Sequence, residues 1–574
     1  MSRSVTDPRE GEFDKFLDLW SRRDFVRNMG AAAAFTAFSL GGLEFLESCG
    51  NSTTTGPSGA APKKGGHVVT LSIADIQNLN PVLTKDTSSA AIVAQIYDAL
   101  YSTDSKAQLF PLLASGQPKL SADELTYTIK LRDGMKWTDG SPITSDDVLF
   151  TYQLMWDPKY KKVNSPRRSD LEKYVESITA PDPLTIIFKT KTVYAPFAIS
   201  QLGYGILPKK VWGSLSADEV NSTPLNTAPT VTNGPFKFVS WKKGDAITVA
   251  RNDTYYLGAP YLDQWITKVV ASSTAILDQL KTGEGDIGSV DPSQFDATKT
   301  VDSLNLFSVA RLSFDFYGYQ LDPAKSKLFQ QKEVRQALVL ALDRAAIAKA
   351  LYFSQATVAN TSMPPASWAY NKDNKPVFPF DKAKAETMLD AAGWKKGSDG
   401  IRADASGTKL KFEMITNAGN KVRENLLVNL QQSWKDIGVD ATPKFVDFNK
   451  VLVPAITDTR DFQIFMVGFS WGVDPDQSAL FHSRNTNPGG FNGMDYKNPA
   501  LDKVMDAAVG TTDQKKRTQL YFQMQQIISE DMPAPVLFFP NGILALNKRV
   551  NGYVVDTFTG QRAFQKDVWV SDQK

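Results

Sequence analysis

The sequence predicts an α/β protein made of at least two lobes. Its 574 residues exceed what one compact core holds, and a content of 42% hydrophobic and 22% charged residues is that of a globular chain. The first half is rich in strand patterns of period two, whereas beyond about residue 320 helical patterns alternate with apolar strands. Such alternation is typical of a lobe in which helices cover a mixed sheet.

Strands dominate the predicted elements of the first half. Ordered structure is expected to begin at the run HVVTLSI from His67, and residues 125–131 alternate apolar and polar side chains. A hairpin is predicted from Phe236–Trp241 and Ala246–Ala250, which a Lys-Lys-Gly-Asp turn joins. A helix is predicted over Asp146–Trp156.

Helices carry most of the apolar pattern of the second half. Helical spacing predicts four of them, over residues 334–342, 385–392, 422–437 and 514–531. Apolar strands are predicted over residues 439–445, 462–468 and 536–546. The nearly continuous apolar run at 462–468 indicates a strand that is covered on both faces.

Charge and the rarest residue types argue against several classes of function. The 64 basic and 62 acidic residues leave a net charge of +2, without the basic excess that a nucleic-acid partner requires. A single cysteine cannot form an internal disulfide. With only His67 and His482, a His-rich metal site or a His-dependent catalytic pair is improbable. We therefore expect no cofactor, no metal and no enzymatic activity.

The N-terminal segment combines Arg22 and Arg23, an apolar run over residues 29–43, and the single cysteine, Cys49. The run is too short to span a bilayer, which takes roughly twenty apolar residues. In this order the features resemble a twin-arginine export signal followed by a bacterial lipobox, with Cys49 as the acylation site. The alternative is an amphipathic or disordered N-terminus, because two carboxylates lie where lipoboxes are usually apolar. Residues 49–66 are small and polar, and they are predicted to form a flexible tether.

Several blocks of sequence follow one another along the rest of the chain. They are LTYTIKLRDGMKWTDGSPITSDDVLFTYQLMWD (125–157), NGPFKF (233–238), RNDTYYLGAPYLD (251–263), EVRQALVLALDR (333–344), AETMLDAAGW (385–394), WGVDPD (471–476) and the stretch 481–501. In this order they resemble the extracellular solute-binding proteins of the oligopeptide/dipeptide transport family, the large two-lobed class. The match is spread over nearly all of the chain after the N-terminal segment.

The resemblance implies a two-lobed fold of the type II periplasmic-binding-protein kind, with mixed sheets and a hinge between the lobes. The expected domains are a signal peptide at 1–48, a tether at 49–66, lobe I at 67–317 plus 531–574 with an extra subdomain at 102–232, and lobe II at 318–530. The crossings between lobes are expected near Tyr317–Gln320 and residues 530–540.

The resemblance also implies a function, which is capture of di- or oligopeptides between the lobes and delivery to the permease of a membrane ABC importer. Hinge closure over the ligand would be the mechanism. We expect an exported monomer, periplasmic or on the outer face of the cell membrane, held there by a lipid at Cys49. The alternative ligand is another solute, such as an oligosaccharide, an opine-like compound or a metal chelate.

The predicted ligand site centres on the segment of Ser470, Trp471, Gly472 and Asp474. In the family, the equivalent segment leaves a central strand at the cleft, and its aspartate meets the amino group of the peptide. A desolvated carboxylate makes a strong charge-assisted hydrogen bond with an ammonium group. Gly472 would let another backbone approach closely, and Trp471 offers a flat apolar wall with one donor.

Two alternatives stay open for the anchoring aspartate. Asp474 is followed by Pro475, which is also typical of a helix cap. The chain is shorter here than in many peptide binders, so that Asp476 is the other candidate for the anchor.

Further site residues are implied by the resemblance. Thr87, Ser88 and Ser89 precede an apolar helix and would line the cleft from lobe I; alternatively, they form an ordinary helix start that a hydroxyl caps. Asn492, in FNGMDY, is also expected near the cleft.

A serine hydrolase is the least favoured alternative. Gly468–Gly472 fits the G-x-S-x-G pattern after a predicted strand, which would make Ser470 a nucleophile. Such a site needs a helix directly after Ser470, but Pro475 lies nearby. His482, the only downstream histidine, follows after just twelve residues.

Overall fold

The structure is a computed structural model that describes residues 53–54, 61–104, 107–486, 490–557 and 565–572. The predicted export signal, with Arg22, Arg23 and Cys49, lies outside these residues. Within the described part of the chain, no helix has both the length and the apolar character to cross a bilayer.

Lobe I contains a seven-stranded mixed sheet. In spatial order its strands are Leu304–Val309, Gly542–Asn547, Ile287–Ser289, His67–Ser72, Gln264–Val269, Ala246–Arg251 and Phe236–Lys242. His67–Ser72 lies parallel to both of its neighbours, and the other pairs are antiparallel.

Lobe II contains a six-stranded mixed sheet. In spatial order its strands are Ala356–Val358, Val536–Pro540, Ser313–Tyr319, Ile464–Ser470, Lys411–Asn417 and Asp440–Val446. Lys411–Asn417 lies parallel to both of its neighbours, and the other pairs are antiparallel.

Smaller sheets complete the strand content. Within the expected subdomain, an antiparallel four-stranded sheet has the order Lys119–Leu120, Thr126–Lys130, Thr185–Thr190, Val175–Asp182. Two-stranded pairs are Tyr101–Thr103 with Leu109–Pro111, Lys395–Lys396 with Arg402–Ala403, Val550–Asn551 with Trp569–Val570, and Thr53–Thr54 with Val554–Val555.

Helices cover the sheets of both lobes. Those of lobe I are Thr87–Ile96, Ser145–Trp156, Arg168–Tyr174, Phe197–Gln201, Lys209–Trp212, Ala217–Ser222, Ser273–Thr282 and Phe295–Lys299. Those of lobe II are Lys332–Leu340, Arg344–Tyr352, Lys382–Ala391, Lys421–Lys435, Ser478–Phe481, Pro499–Val509 and Gln514–Asp531. Short 3₁₀ helices lie at Pro158–Tyr160, Pro224–Asn226, Pro292–Gln294, Ser483–Thr486 and Gln565–Asp567, and π-helical turns at Phe448–Leu452 and Ala455–Thr459.

Several predicted elements are confirmed. The helix Ser145–Trp156 starts with a capping box, in which Thr144 and Asp147 satisfy each other's backbone N–H groups. The predicted hairpin is the pair Phe236–Lys242 and Ala246–Arg251. The helix predicted at residues 514–531 has those same bounds.

The first crossing between lobes comes earlier than predicted. Strand Leu304–Val309 belongs to the lobe I sheet, and Ser313–Tyr319 already belongs to the lobe II sheet. The chain therefore crosses at residues 310–312, and the expected lobe boundary at residue 317 is corrected by this sheet membership.

The second crossing splits a run that the sequence pattern predicts as one strand, residues 536–546. Val536–Pro540 pairs within lobe II, and Gly542–Asn547 pairs within lobe I. The crossing is therefore at Asn541, later than the expected boundary at residue 531. We call residues 310–312 and Asn541 the hinge.

Part of the predicted tether is attached to the folded body, contrary to expectation. Thr53–Thr54 pairs with Val554–Val555. The Lys63 ammonium donates a hydrogen bond of 2.7 Å to the Ser571 carbonyl. Backbone pairing does not depend on apolar side chains, so the polar composition of this segment does not prevent it.

Candidate ligand-binding site

The strand Ile464–Ser470 runs through the centre of the lobe II sheet and ends beside the hinge, where Ser470 lies opposite Ser313. One of its edges is paired along its whole length with Ser313–Tyr319. The other edge is paired with Lys411–Asn417 only at its first two residues. The second edge is therefore open toward the end of the strand.

Alternation along the strand shows which backbone groups face the open edge. Trp471 N–H donates to the Leu312 carbonyl at 2.8 Å. The backbone N–H and C=O groups of the odd-numbered residues here therefore point toward the strand Ser313–Tyr319. The N–H and C=O groups of Gly468 and Ser470 then point the other way, because successive residues alternate. Among the described residues, neither has a backbone partner on that edge. An extended chain could pair with them there.

The residues after the strand have the properties expected of a ligand wall. Ser470 and Gly472 are exposed. A Cβ built on Gly472 would have no heavy atom within 4 Å, so space is open beside it. Trp471 is 9% exposed and packs on Phe314 and Phe469, with ring centroids 5.4 and 4.9 Å away. Its indole N–H is buried without a hydrogen-bond partner.

Asp474 is not the free carboxylate that the predicted role requires. Arg517 donates from Nη2 to both of its oxygens, at 2.8 and 2.7 Å, and the Tyr521 hydroxyl lies 3.3 Å from Oδ1. Its Oδ1 also accepts from Asp476 N–H at 3.1 Å. The charge of the predicted anchor is thus already paired within lobe II, by Arg517.

Burial and pairing act in opposite directions on the pKa of the Asp474 carboxyl. Burial raises this pKa, while the Arg517 guanidinium opposes the rise. The Asp476 carboxylate, the other candidate anchor, accepts from Ser478 N–H and from the Ser478 hydroxyl, at 2.9 and 2.6 Å. One oxygen of Asp476 therefore closes a local turn just before the helix Ser478–Phe481, whose N-cap is Gln477.

The three residues predicted from lobe I separate into two groups. Thr87 is exposed and Ser88 is partly buried at the start of their helix. Ser89 is fully buried, and its hydroxyl accepts from Gln77 N–H at 2.8 Å. The cap of this helix is Asp86, whose carboxylate accepts from Ser89 N–H. Ser89 has a structural role, and the predicted ligand contact is corrected for this residue.

The prediction that Asn492 contacts the ligand is corrected for the same reason. This residue is fully buried, and its amide nitrogen donates to the carbonyls of His482 and Tyr496, at 3.2 and 2.8 Å. Its oxygen accepts from Tyr496 N–H. The side chain holds a turn together, and no group of it remains for a ligand. The neighbouring Phe491, which the pattern did not single out, is 52% exposed and packs against Phe469.

The two lobes contact each other beside this segment. The Thr512 hydroxyl of lobe II donates to the Glu124 carboxylate of lobe I at 2.6 Å. Ala195 N–H of lobe I donates to the Val509 carbonyl at 2.8 Å. These long-range bonds link the four-stranded subdomain to lobe II.

Charged groups face each other across the same contact. Burial raises the pKa of the Asp170 carboxyl in lobe I, Lys173 and Arg167 oppose the rise, and the Asp476 charge of lobe II adds to it. Burial lowers the pKa of the Lys173 ammonium, and the charge of Arg484 in lobe II lowers it further. The subdomain and lobe II are thus electrostatically coupled.

The geometry lacks the features of the hydrolase alternative. Ser470 ends a strand, and the next helix begins only at Ser478. His482 lies near Asp502 and Asp506, at 3.2 and 3.3 Å, in the core of lobe II. Within the described ranges, no cluster of three or more His, Cys, Asp or Glu residues is arranged to hold a metal ion.

Comparison with known proteins identifies relatives over most of the chain. The family model described as "Bacterial extracellular solute-binding proteins, family 5 Middle" matches residues 108–491. The oligopeptide-binding protein AppA of Bacillus subtilis is 32% identical over 516 residues, covering 89% of this chain and 93% of AppA. Protein XP55 of Streptomyces lividans is 30% identical and covers 89% of this chain and 90% of its own length.

Solved structures agree with this similarity. AppA of Bacillus subtilis in complex with a nonapeptide superposes with a TM-score of 0.75 at 31% identity, covering 89% of this chain and all of that one. The ABC transporter substrate-binding protein CtaP of Listeria monocytogenes gives a TM-score of 0.77 at 27% identity, with 89% and 100% covered. The predicted fold class, with two lobes and mixed sheets, is confirmed.

Proposed function

Since the chain belongs to the bacterial extracellular solute-binding proteins of family 5, we propose that it captures peptides between its lobes and delivers them to a membrane ABC importer. The AppA relative is an oligopeptide-binding protein, and its solved structure holds a nonapeptide. The observation that carries the proposal is the open edge of Ile464–Ser470, where the backbone groups of Gly468 and Ser470 have no partner among the described residues.

Strand addition explains how such a site binds peptides of many sequences. The N–H and C=O groups of Gly468 and Ser470 pair with the peptide backbone, which is common to every peptide. Trp471, packed on Phe314 and Phe469, forms the apolar wall. The open space beside Gly472 receives the chain.

Closure follows from contacts on both lobes. A ligand bound to the open edge in lobe II and to Thr87 and Ser88 in lobe I stabilises the closed arrangement, because only that arrangement offers both sets of contacts. The importer recognises the closed form. No covalent bond is made or broken.

A proline at the open edge tests strand addition. Ser470→Pro removes a backbone N–H that faces the ligand and leaves the pairing with Ser313–Tyr319 intact, since proline is tolerated at such an edge. We expect about tenfold weaker binding of a nonapeptide pool by calorimetry, with unchanged circular dichroism. Ser470→Ala is the matched control and keeps full affinity. Equal binding by the Pro variant would refute the proposed pairing.

The nature of the ligand is tested directly by mass spectrometry of small molecules released from the purified protein. Peptides are expected. A released oligosaccharide, opine-like compound or metal chelate would instead favour the non-peptide alternative. Turnover of ester or amide substrates that disappears in Ser470→Ala would favour the hydrolase.

Export and lipid attachment at Cys49 are part of the proposal, supported by the order of Arg22, Arg23, the apolar run and Cys49. Cys49→Ser is expected to release the protein from membranes, and Arg22→Lys with Arg23→Lys to retain it in the cytoplasm. Membrane retention of the Cys49→Ser variant would contradict the anchor. A monomer is proposed, which light scattering after size exclusion tests.

A further inference from the structure

Arg311 lies in the hinge, and its neighbours define its position. The Ala310 carbonyl accepts from the Thr557 hydroxyl at 2.7 Å. The Leu312 carbonyl accepts from Trp471 N–H at 2.8 Å. Arg311 is therefore followed directly by Leu312, which is bonded to Trp471 of the proposed ligand wall.

The guanidinium of Arg311 lies against Gly542, the first residue after the second crossing. A Cβ atom at position 542 would collide with Nε of Arg311 and would lie 2.6 Å from Cζ and Nη2 of the same side chain. Only a residue without a side chain leaves room for this arrangement. Gly542 is opposite Val309 in the strand register, so the Arg311 head group lies on the face from which Val309 projects.

That face of the lobe I sheet is the one covered by the helix Thr87–Ile96. Val309 packs against the core that contains this helix. Ile543 projects from the opposite face and packs with the helix Ser273–Thr282. The Arg311 head group is therefore on the same face of the lobe I sheet as the helix whose first residues, Thr87 and Ser88, are the proposed lobe I contacts.

Arg311 differs from the other twelve arginines of the described residues. Each of those twelve forms at least one hydrogen bond or ion pair within the protein. Arg311 forms none within the part of the chain that the structure describes, and the residue is exposed. Nevertheless, surrounding protein lowers its pKa by desolvation, and no carboxylate acts to raise it. Desolvation of a charge that lacks a counter-ion is unfavourable, and a bound anion would relieve it.

We propose that Arg311 is an anion subsite at the floor of the cleft, which binds a carboxylate of the ligand. The inference rests on the proposed function, because the ligand is taken to be a peptide. A guanidinium fits a carboxylate with two parallel hydrogen bonds, and none of the described residues supplies such a partner to Arg311. The carboxylate belongs either to the C-terminus of the peptide or to an acidic side chain.

The test compares three synthetic nonapeptide pools by calorimetry. The first lacks Asp and Glu and has free C-terminal carboxylates, the second is the same pool amidated, and the third is amidated with one internal Glu. The parent, Arg311→Gln and Arg311→Lys are titrated with each pool. Arg251→Gln is the control, because Arg251 is on the lobe I surface and pairs with Asp253 and Asp263.

The parent and the Arg251 control are expected to bind at least one carboxylate-containing pool about tenfold more tightly than the plain amidated pool. Arg311→Gln loses this preference, and Arg311→Lys keeps part of it. Preference for the first pool identifies the C-terminus, and preference for the third identifies a side chain. A preference that survives in Arg311→Gln, or equal binding of all pools to the parent, would overturn the subsite while leaving peptide capture intact. No binding of any pool to the parent would overturn both proposals.

Discussion

At the scale of single residues, Asp474 shows that a match to a sequence motif does not determine which partner a side chain contacts. The residue type and position match the family pattern, yet Arg517 holds both carboxylate oxygens within 2.8 Å. A carboxylate that is already paired and buried gains little from a ligand ammonium, since the existing bonds must first be broken. The structure therefore favours a supporting role for Asp474.

This role predicts the behaviour of Asp474→Asn. We expect a loss of about 3 kcal/mol in the free energy of unfolding, because Arg517 would keep a buried charge without its partner. The ratio of affinities for free and N-acetylated peptides should not change. Urea unfolding and calorimetry measure the two quantities. A stable variant that no longer distinguishes the two peptides would instead restore the anchor.

Asp98 offers a second test at this scale, through pH. Burial raises the pKa of its carboxyl from 3.8 to about 6, while hydrogen bonds from the hydroxyls of Tyr256 and Tyr255 oppose the rise. The folded state thus binds this proton more tightly than the unfolded state does. The resulting stabilisation is complete below pH 3.8 and is lost as the pH rises through about 6.

The difference in free energy of unfolding between Asp98→Asn and the parent is expected to change with pH. The variant does not titrate, so its stability relative to the parent should increase by about 3 kcal/mol between pH 3.5 and pH 7. Urea unfolding at several pH values measures this. A difference that is independent of pH would show that Asp98 does not titrate in this range.

At the scale of elements, the C-terminal segment is held to the lobe I sheet by a buried ion pair. Arg549 and Asp286 have 5% and 2% of their side chains exposed, and they bond through two contacts of 2.6 and 2.7 Å. Asp286 also accepts from Val69 N–H, and Arg549 donates to the His67 carbonyl. The pair therefore joins the last part of the chain to the first strand of the sheet.

Removal of one partner of this buried ion pair should lower the free energy of unfolding far more than removal of one partner of a surface ion pair. Arg549→Met is expected to lower the free energy of unfolding by about 3–5 kcal/mol, because Asp286 would remain buried and charged. The control Arg251→Met, in a surface ion pair, should cost about 1 kcal/mol or less. Urea unfolding measures both. Equal losses would contradict the assigned role.

At the scale of the whole molecule, the bond between Thr512 and Glu124 joins the lobes through side chains that are not part of the proposed ligand wall. If the closed arrangement is the one that retains ligand, weakening this bond favours opening without touching the ligand. Thr512→Val is expected to weaken peptide binding about fivefold. Calorimetry measures the affinity, and small-angle scattering should show a larger radius of gyration at partial saturation.

The adjacent Thr511 provides the control for this prediction. Its hydroxyl accepts from Asp513 N–H within lobe II, and it forms no bond to any described residue of lobe I. Thr511→Val should therefore keep the parent affinity. Identical affinities for both variants and the parent would show that the Thr512 bond does not contribute to closure.

The sequence by itself determined the elements, the alternation of helices and strands, and the family. Periodicity, caps and turns are local properties, so the capping box at Thr144 and the helix Gln514–Asp531 follow from neighbouring residues. Ser470, Trp471 and Gly472 were also found from sequence, because they follow a recognisable apolar strand. Ser470 and Gly472 are exposed there and Trp471 is buried, and their contact with a ligand stays a prediction.

Only the tertiary structure decided which charges are paired and where the lobes divide. Arg517 is 43 residues from Asp474 in sequence, and no local pattern connects them. The run 536–546 looks like one strand because both of its halves are apolar, but they belong to sheets in different lobes. The isolation of Arg311 is likewise invisible in the sequence. Pairing and burial depend on residues that long-range packing brings together, which the order of residues along the chain does not reveal.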